Sequence, residues 1–150
     1  MNKLTIRAFH PRDTPAILEI QHLNREAAQW QQIAYEGLEK TGEKAWVAEQ
    51  NGAIAGFLVA RAITDEMEVL NLAVRPNAHR QGIGRELLQH AISWSAERRV
   101  HRVFLEVRAS NTVAQNFYEA NGFAQTGIRP NYYSDPVEAA LLLAKSVDRK

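Results

Sequence analysis

The sequence predicts an α/β fold, with a mixed, mostly antiparallel sheet of about seven strands and helices on both of its faces. One reason is the pair Asn51-Gly52 between two short apolar segments, because these residues tolerate the positive φ angles of a tight hairpin. Another is the order of the elements, in which hairpin strands come first and strands alternating with helices follow. The predicted strands are residues 4–9, 45–49, 54–60, 68–74, 103–107, 123–129 and 137–144.

Two helices are expected before the hairpin. Asp13 or Thr14 can cap the first helix, with Pro15 at a position where a missing N–H costs nothing. A second helix is expected over residues 27–40. The apolar side of the first helix is formed by Ile17, Ile20 and Leu23.

The composition is that of one ordinary globular domain, which we predict to span residues 1–150. Hydrophobic residues make up 45% of the chain and charged residues 23%, and no apolar run approaches the ~20 residues that span a bilayer. The formal net charge of +1 provides no general attraction for nucleic acid or anionic lipid. We therefore expect a cytoplasmic protein with neither a nucleic-acid nor a membrane partner.

Metal and thiol chemistry are not expected. The chain has no cysteine, which excludes a disulfide scaffold, a thiolate metal site and a cysteine nucleophile. Its five histidines show none of the spacings, to one another or to carboxylates, that are typical of metal sites.

The most informative segment is a turn and helix start at residues 80–85, Arg-Gln-Gly-Ile-Gly-Arg. The first N–H groups of a helix have no internal partner and lie at the positive end of its dipole, so they bind anions. Gly82 and Gly84 let the backbone approach an anion closely, and Arg80 and Arg85 can add charge-assisted hydrogen bonds to a pyrophosphate. The buried stripe of this helix is Ile83, Leu87, Leu88, Ala91 and Ile92.

Other interpretations of this segment are weaker. The Gly-Lys-Ser/Thr of a Walker loop is absent, and Leu87 stands where the dinucleotide fingerprint needs a third glycine. A plain helix start that happens to contain two glycines would look the same by itself.

Residues 71–74, Asn-Leu-Ala-Val, followed by residues 80–88, resemble the acetyl-CoA-binding motif of the GNAT superfamily of N-acetyltransferases. His79 stands at the first position of that motif, where the family usually has Gln or Arg. The resemblance implies that backbone N–H groups hold the pyrophosphate of acetyl-CoA and that the preceding strand pairs with its pantetheine arm. The residues so implied are Leu72, Ala73, Val74, Arg80, Gln81, Gly82, Ile83, Gly84 and Arg85.

The second half of the chain resembles the RimI-type branch of this superfamily, bacterial enzymes that acetylate the N-terminal alanine of a ribosomal protein. This resemblance implies direct transfer of an acetyl group from acetyl-CoA to the N-terminal amine of a protein or peptide, in a ternary complex and without an acyl-enzyme. The matching segments are residues 105–111 (LEVRASN), 117–119 (FYE), 122–123 (GF) and 129–133 (RPNYY).

Such a reaction needs a base, because an N-terminal ammonium with a reference pKa of ~8 must lose a proton before it attacks a thioester. Glu106 lies within the otherwise apolar segment 103–107, where an ionised carboxylate is costly without a partner or a purpose. The resemblance implies that Glu106 is this base. The alternative is that Glu106 faces solvent or pairs with Arg102 or Arg108.

The leaving CoA thiolate needs a proton, which a tyrosine with a reference pKa of ~10 can supply. Tyr118 matches the general-acid tyrosine of the family, although a packing role would also explain it. Asn111 matches a residue that contacts the cofactor, and either it or Ser110 can equally cap the following helix. The N–H of Val74 is the expected donor to the thioester oxygen.

The acceptor is less constrained than the reaction. Residues 24–30 lack the aromatic–Pro–Trp segment that RimI-type enzymes usually carry. The alternative acceptors are small amines, such as a polyamine, an amino acid or an aminoglycoside. A polyamine needs an acidic pocket, which Glu36, Glu39 and Glu43 could form.

Two further alternatives stay open on the residues alone. One of the adjacent Tyr132 and Tyr133 should face inward, where it can line an acceptor groove or pack in the core. A non-catalytic acetyl-CoA-binding module would retain Gly82 and Gly84 but has no need of an acid and a base. The oligomeric state is not indicated by the sequence.

Overall fold

The structure is a computed structural model that describes residues 3–147, apart from the side chains of Glu39 and Thr41. Its strands are β1 (Leu4–Ala8), β2 (Glu43–Gln50), β3 (Ala53–Ile63), β4 (Glu66–Val74), β5 (Arg102–Arg108), β6 (Ala124–Tyr133) and β7 (Glu138–Ser146). Its helices are α1 (Thr14–Leu23), α2 (Gln32–Glu36), α3 (Leu38–Thr41), α4 (Ile83–Glu97) and α5 (Thr112–Ala120). Two short 3₁₀ turns, Pro11–Asp13 and Pro76–Ala78, precede α1 and α4.

The strands form one seven-stranded sheet in the order β1-β2-β3-β4-β5-β7-β6. Neighbouring strands are antiparallel except β4 and β5, which run parallel and are connected through α4. The hairpin between β2 and β3 turns at Asn51 and Gly52, whose φ angles are 54° and 81°. The prediction of a mixed, mostly antiparallel sheet is therefore confirmed.

Helices cover both faces of the sheet, as predicted. Successive strand residues point to opposite sides, so each strand contributes to two cores. On one side, called the α4 face below, Leu58 and Leu105 pack with Leu87 of α4. On the other side, called the α1 face, Phe57 packs with Ile17 of α1.

A gap opens between β4 and β5. The two strands pair only where residues 66–68 face residues 102–104, and beyond that point their described residues are not paired with each other. β4 keeps its pairing with β3 as far as Val74, while β5 keeps its pairing with β7 as far as Arg108. Both edges of the gap therefore carry backbone N–H and C=O groups that the sheet does not use.

A β-bulge at Leu70 reverses the side-chain alternation of β4. Asn71 is opposite Val59 while Val69 is opposite Ala60, so one extra residue lies between these two pairs. Val69 packs on the α4 face, whereas the Asn71 side chain hydrogen-bonds to the region between α1 and α2 on the α1 face. Without the bulge, residues two apart would point to the same side.

The helix predicted over residues 27–40 is wrong as a single element. Residues 24–31 form an irregular segment, called the α1–α2 loop below, and Gly37 separates two short helices after it. The carbonyl oxygens of Ala28 and Trp30 accept hydrogen bonds of 2.9 and 2.6 Å from side-chain amides of β4 and α1. These contacts come from distant parts of the chain and hold the backbone outside a helix.

The start of α1 also differs from the prediction. Asp13 precedes α1 but does not cap it, because its carboxylate accepts hydrogen bonds from the N–H of His10 (2.8 Å) and from Arg7 (2.9 Å). Burial acts to raise the pKa of Asp13, but the bonds to Arg7 and His10 outweigh it and keep this pKa below its ordinary value. Thr14 is the first residue of α1, and Leu23 is half-exposed.

Candidate active site

A cavity of about 400 Å³ lies where β4 and β5 separate. Its walls come from both faces of the sheet, because the α1–α2 loop borders it on the α1 face and α5 borders it on the α4 face. The lining residues are 25–29 of the α1–α2 loop, 69–72 of β4, 105–108 of β5, Asn111, Ala114 and Tyr118 at α5, and Tyr133 of β6. Two molecules that enter from opposite faces can therefore meet in the gap.

Glu106 lies in this cavity on β5. Its neighbours Leu105 and Val107 fill the α4 face, so the Glu106 side chain points to the α1 face. The side chain is only 15% exposed, and Oε2 is buried with no hydrogen-bond partner among the described residues. Oε1 lies 3.7 Å from Nε of Arg129. A buried carboxylate oxygen without a donor is costly, so Oε2 is an acceptor available to an incoming molecule.

Glu106 pairs with neither Arg102 nor Arg108; its ion-pair partner is Arg129. Arg102 pairs with Glu66 at 2.8 Å, and Arg108 pairs with Glu138 at 3.0 Å. The two arginines that the sequence offered as partners of Glu106 are thus used elsewhere.

Tyr118 lines the same cavity from α5. Its side chain is buried, and its ring makes edge contacts with Phe117 and Phe123 at centroid distances of 5.0 and 5.3 Å. Burial raises the pKa of Tyr118 above its ordinary value, so the phenol remains protonated at neutral pH. Tyr118 therefore combines the packing role with a place at the cavity wall, and it faces the gap from the side opposite Glu106.

The two adjacent tyrosines at the end of β6 differ in exposure, but their ring centroids are 5.1 Å apart, so they do not point to opposite sides as strand alternation predicts. Tyr133 lines the cavity, and the guanidinium of Arg108 lies 4.2 Å from its ring centroid. Tyr132 is 50% exposed, and the charge of the nearby Glu106 carboxylate raises its pKa. The end of β6 therefore borders the cavity on the same side as Glu106.

The turn before α4 has the geometry expected of an anion site. Arg80 and Gly82 both have left-handed backbone angles, with φ of 66° and 79°. The N–H of Glu86 donates to the carbonyl of Gly82 at 3.0 Å, so the N–H groups of the three residues between them have no helical partner. These three are Ile83, Gly84 and Arg85; Gln81 is exposed and Ile83 is buried. The turn thus directs a set of unused donors toward solvent.

The C-terminal end of β4 connects this turn to the cavity. Leu72 lines the cavity, and Ala73 is buried on the α1 face. The N–H of Arg75 donates to Ala55 O at 2.7 Å, and in an antiparallel ladder such bonds alternate. The N–H of Val74 therefore points away from β3, toward the gap.

Two segments of the chain bind the carbonyl oxygen of Val74. Nδ2 of Asn24 in the α1–α2 loop donates to it at 3.0 Å, and Nε2 of His79 donates to it at 2.8 Å. His79 stands where the motif usually has Gln or Arg, and its hydrogen bond to Val74 O connects the turn to the end of β4.

Asn111 fits both interpretations made from the sequence. Its side-chain oxygen caps α5 by accepting the N–H of Ala114 at 3.0 Å, and the residue also lines the cavity. Capping alone accounts for its conformation, so contact with a cofactor is a separate, untested role.

Some lining residues were not identified from the sequence. Asn71 was singled out only as part of a motif, and its placement in the cavity depends on the bulge at Leu70. Of the cavity wall at residues 25–29, residues 27–29 fall within the segment expected to be helical. Glu36 and Glu43 do not line the cavity, and the Glu39 side chain lies outside the described residues.

Neither a metal-binding cluster nor a membrane-spanning helix is found among the described residues. Within residues 3–147, no group of three or more histidine, aspartate or glutamate side chains could hold a metal ion. No helix in that range is long and apolar enough to cross a membrane.

Comparison with known proteins gives a consistent result. Residues 6–123 match the family model described as the acetyltransferase (GNAT) family. The chain is 36% identical over 142 residues to the ribosomal protein bS18-alanine N-acetyltransferase of Escherichia coli (strain K12). That match covers 93% of this chain and 95% of the relative.

Solved structures agree with the sequence match. The crystal structure of the ribosomal-protein-S18-alanine N-acetyltransferase from Escherichia coli superimposes with a TM-score of 0.83 at 34% identity, covering 100% of this chain and 96% of that one. Ard1 from Thermoplasma volcanium gives 0.87 at 29% identity, covering 97% and 99%. A GNAT family acetyltransferase from Elizabethkingia anophelis with acetyl-CoA bound has the same fold, with a TM-score of 0.76 at 22% identity, covering 95% and 97%.

Proposed function

We propose that this chain, which belongs to the acetyltransferase (GNAT) family and is an acetyl-CoA-dependent N-acetyltransferase of the RimI type, acetylates the N-terminal α-amine of a protein. The acceptor is inferred from the Escherichia coli relative, whose name specifies an alanine of ribosomal protein bS18. The observation that carries the proposal is the buried, unpartnered Oε2 of Glu106 in the gap between β4 and β5. A site that must take a proton from an ammonium needs such an oxygen.

Acetyl-CoA is assigned to the α4 side of the gap. The unused N–H groups at the start of α4, together with Arg80 and Gln81 in the turn, hold the pyrophosphate, where the helix dipole adds positive potential. The pantetheine arm runs along residues 72–74, whose edge of β4 is not paired with β5. Asn111 borders this path at the start of α5.

The acceptor amine arrives on the α1 face. It enters as an ammonium and gives one proton to Glu106, directly or through a water molecule. The nitrogen lone pair then attacks the thioester carbon and forms the C–N bond. The resulting oxyanion is stabilised by the N–H of Val74, which points toward the gap.

The tetrahedral intermediate collapses by breaking the C–S bond. Tyr118 donates its phenolic proton to the departing sulfur and is reprotonated as the nitrogen loses its remaining excess proton, while Glu106 releases its proton to solvent. The products are the N-acetylated amine and CoA. Burial, which raises the pKa of Tyr118, ensures that the proton is present at neutral pH.

A protein N-terminus is favoured over a polyamine by the walls of the cavity. The acidic side chains at 36 and 43 that a polyamine pocket would use lie outside it, and the two glutamates that do line it, Glu26 and Glu106, are accompanied by two arginines, Arg25 and Arg108. The wall instead combines the backbone of the α1–α2 loop with Tyr133, which offers hydrogen-bonding groups and an aromatic surface to an extended peptide.

The test is acetyl transfer to a panel of acceptors, followed by mass spectrometry. The panel contains peptides beginning with alanine, the same peptides with a blocked N-terminus and an internal lysine, and spermidine. Because the chain has no cysteine, released CoA can also be counted with a thiol reagent without background from the protein. We expect turnover of the alanine peptides; turnover of spermidine alone would refute the proposed acceptor and leave the cofactor chemistry intact.

A further inference from the structure

Three buried polar side chains form a chain of hydrogen bonds behind the wall of the cavity. Gln21 Nε2 donates to Trp30 O at 2.6 Å, and the hydroxyl of Tyr35 donates to Gln21 Oε1. Asn71 Nδ2 donates to Tyr35 Oη at 3.2 Å and to Ala28 O at 2.9 Å. All three side chains are less than 6% exposed.

In this network of hydrogen bonds, the groups at its two ends determine which atom donates and which accepts in every bond. Trp30 O can only accept, so Gln21 must direct its NH₂ group there and its oxygen toward Tyr35. Burial raises the pKa of Tyr35, so its hydroxyl keeps the proton that it donates to Gln21. The lone pair of the Tyr35 hydroxyl then accepts a hydrogen bond from Asn71. Ala28 O also can only accept, so the Asn71 amide must direct its NH₂ group toward both partners.

Both N–H groups of Asn71 are therefore occupied, and its Oδ1 is left over. No residue in the described range donates a hydrogen bond to Oδ1. Asn71 lines the cavity, although its side chain is only 5% exposed overall. The bulge at Leu70 turns it to the α1 face, where the Glu106 side chain also lies. Two acceptor atoms of residues that line the cavity, Oε2 of Glu106 and Oδ1 of Asn71, thus have no donor among the described residues.

We propose that Oδ1 of Asn71 accepts a hydrogen bond from the acceptor amine, next to Glu106. This inference rests on the proposed function, because it assigns a second contact to the same amine. An ammonium has three N–H donors, so it can bond to both Glu106 and Asn71. After Glu106 takes one proton, the bond to Asn71 persists and orients the nitrogen so that its lone pair faces the thioester.

The test compares Asn71→Leu with the matched control Tyr35→Phe. Leucine is close to asparagine in shape but has no oxygen, whereas Tyr35→Phe removes the same network bond and leaves Oδ1 in place, held by Ala28 O. For Asn71→Leu we expect kcat/KM for an alanine peptide to fall by about 10- to 100-fold, the size of a hydrogen bond to a charged group. For Tyr35→Phe the change should stay within about threefold.

Two further measurements separate binding of the amine from loss of structure. The affinity for acetyl-CoA, measured by calorimetry, should be unchanged in both variants, and a second variant, Asn71→Ser, should show the same loss of acceptor turnover if Asn71→Leu folds poorly.

The possible outcomes are distinct. A large effect of Asn71→Leu with a small effect of Tyr35→Phe supports the proposal. Equal losses in the two variants would show that the network only holds the α1–α2 loop, and wild-type kinetics in Asn71→Leu and Asn71→Ser would leave Oδ1 without a role; either overturns it. A wild-type enzyme that turns over no α-amine would instead refute the proposed function, and this inference with it.

Discussion

The two sides of the gap are built by different means. On the α4 side, the proposed donors for acetyl-CoA are backbone N–H groups at a helix start, and the local sequence with Gly82 and Gly84 is enough to produce them. On the α1 side, the proposed acceptor wall is an irregular loop whose backbone carbonyls accept hydrogen bonds from the side chains of Gln21 and Asn71, which are 9 and 43 residues away in sequence. The structure of the proposed cofactor side is therefore determined by residues that are neighbours in the sequence. That of the proposed acceptor side depends on tertiary contacts.

This difference explains why the type of reaction can be inferred from a relative more readily than the identity of the acceptor. A backbone site tolerates changes of side chain, whereas a wall made of side-chain hydrogen bonds changes when any one of its members changes. The proposed catalytic pair, Glu106 and Tyr118, faces the gap from the two sides, and its effect on turnover should be separable from binding of either substrate.

Glu106→Gln should have the largest effect, since it removes the proton acceptor while keeping the shape of the side chain. We expect kcat to fall by about 100- to 10,000-fold, with the acetyl-CoA affinity unchanged by calorimetry. Glu66→Gln is the control, because Glu66 lies at the paired end of β4 and binds Arg102. Comparable rates for the two variants would remove Glu106 from the mechanism.

Tyr118→Phe should have the second largest effect on turnover. We expect kcat to fall by roughly 10- to 100-fold, near the low end of general acid catalysis, because a thiolate is already a fair leaving group near neutral pH. Since burial raises the pKa of Tyr118, the wild type should show no loss of kcat from its deprotonation between pH 7 and about 10. A descending limb below pH 9 that disappears in Tyr118→Phe would contradict the buried, protonated phenol.

Gly82→Val tests the cofactor side alone. Gly82 and Gly52 have nearly the same left-handed φ, 79° and 81°, and a Cβ at either position would meet nothing within 4 Å. Valine should therefore cost both about 1–2 kcal/mol of folding stability, measured by thermal unfolding. Only Gly82→Val should weaken acetyl-CoA binding, by roughly tenfold or more. Equal affinities in the two variants would show that the pyrophosphate lies elsewhere.

The smallest effects should come from the two donors to the carbonyl of Val74, one from each side of the gap. Asn24→Ala should raise KM for the peptide by about three- to tenfold and leave acetyl-CoA affinity intact, since it loosens the α1–α2 loop. His79→Ala should weaken acetyl-CoA binding and leave KM for the peptide unchanged, because His79 belongs to the turn before α4. The same pattern in both variants would mean that the two sides are not independent.

The parts that sequence predicted well are those with local causes. The Asn51-Gly52 hairpin, the buried stripe of α4 and the left-handed Gly82 each depend on residues that are neighbours in the chain. The helix expected over residues 27–40 does not form as one element, because the carbonyl of Ala28 accepts a hydrogen bond from a residue 43 positions away. Sequence alone supplies no sign of that contact.

The candidate site shows the same division. Glu106 stands out in the sequence because a charged residue interrupts an apolar strand, but its freedom from Arg102 and Arg108 depends on Glu66 and Glu138. Asn71 could not be assigned to the α1 face, because period-two alternation places it with Val69 and only the bulge reverses it.

The most direct measurement of acceptor choice uses one peptide that begins with alanine and carries an internal lysine. After incubation with acetyl-CoA and the enzyme, tandem mass spectrometry locates the acetyl group on one amine or the other. We expect it on the α-amine alone, with none added by Glu106→Gln in the same time. Acetylation of the lysine side chain, or of neither amine while spermidine is modified, would contradict an N-terminal acetyltransferase.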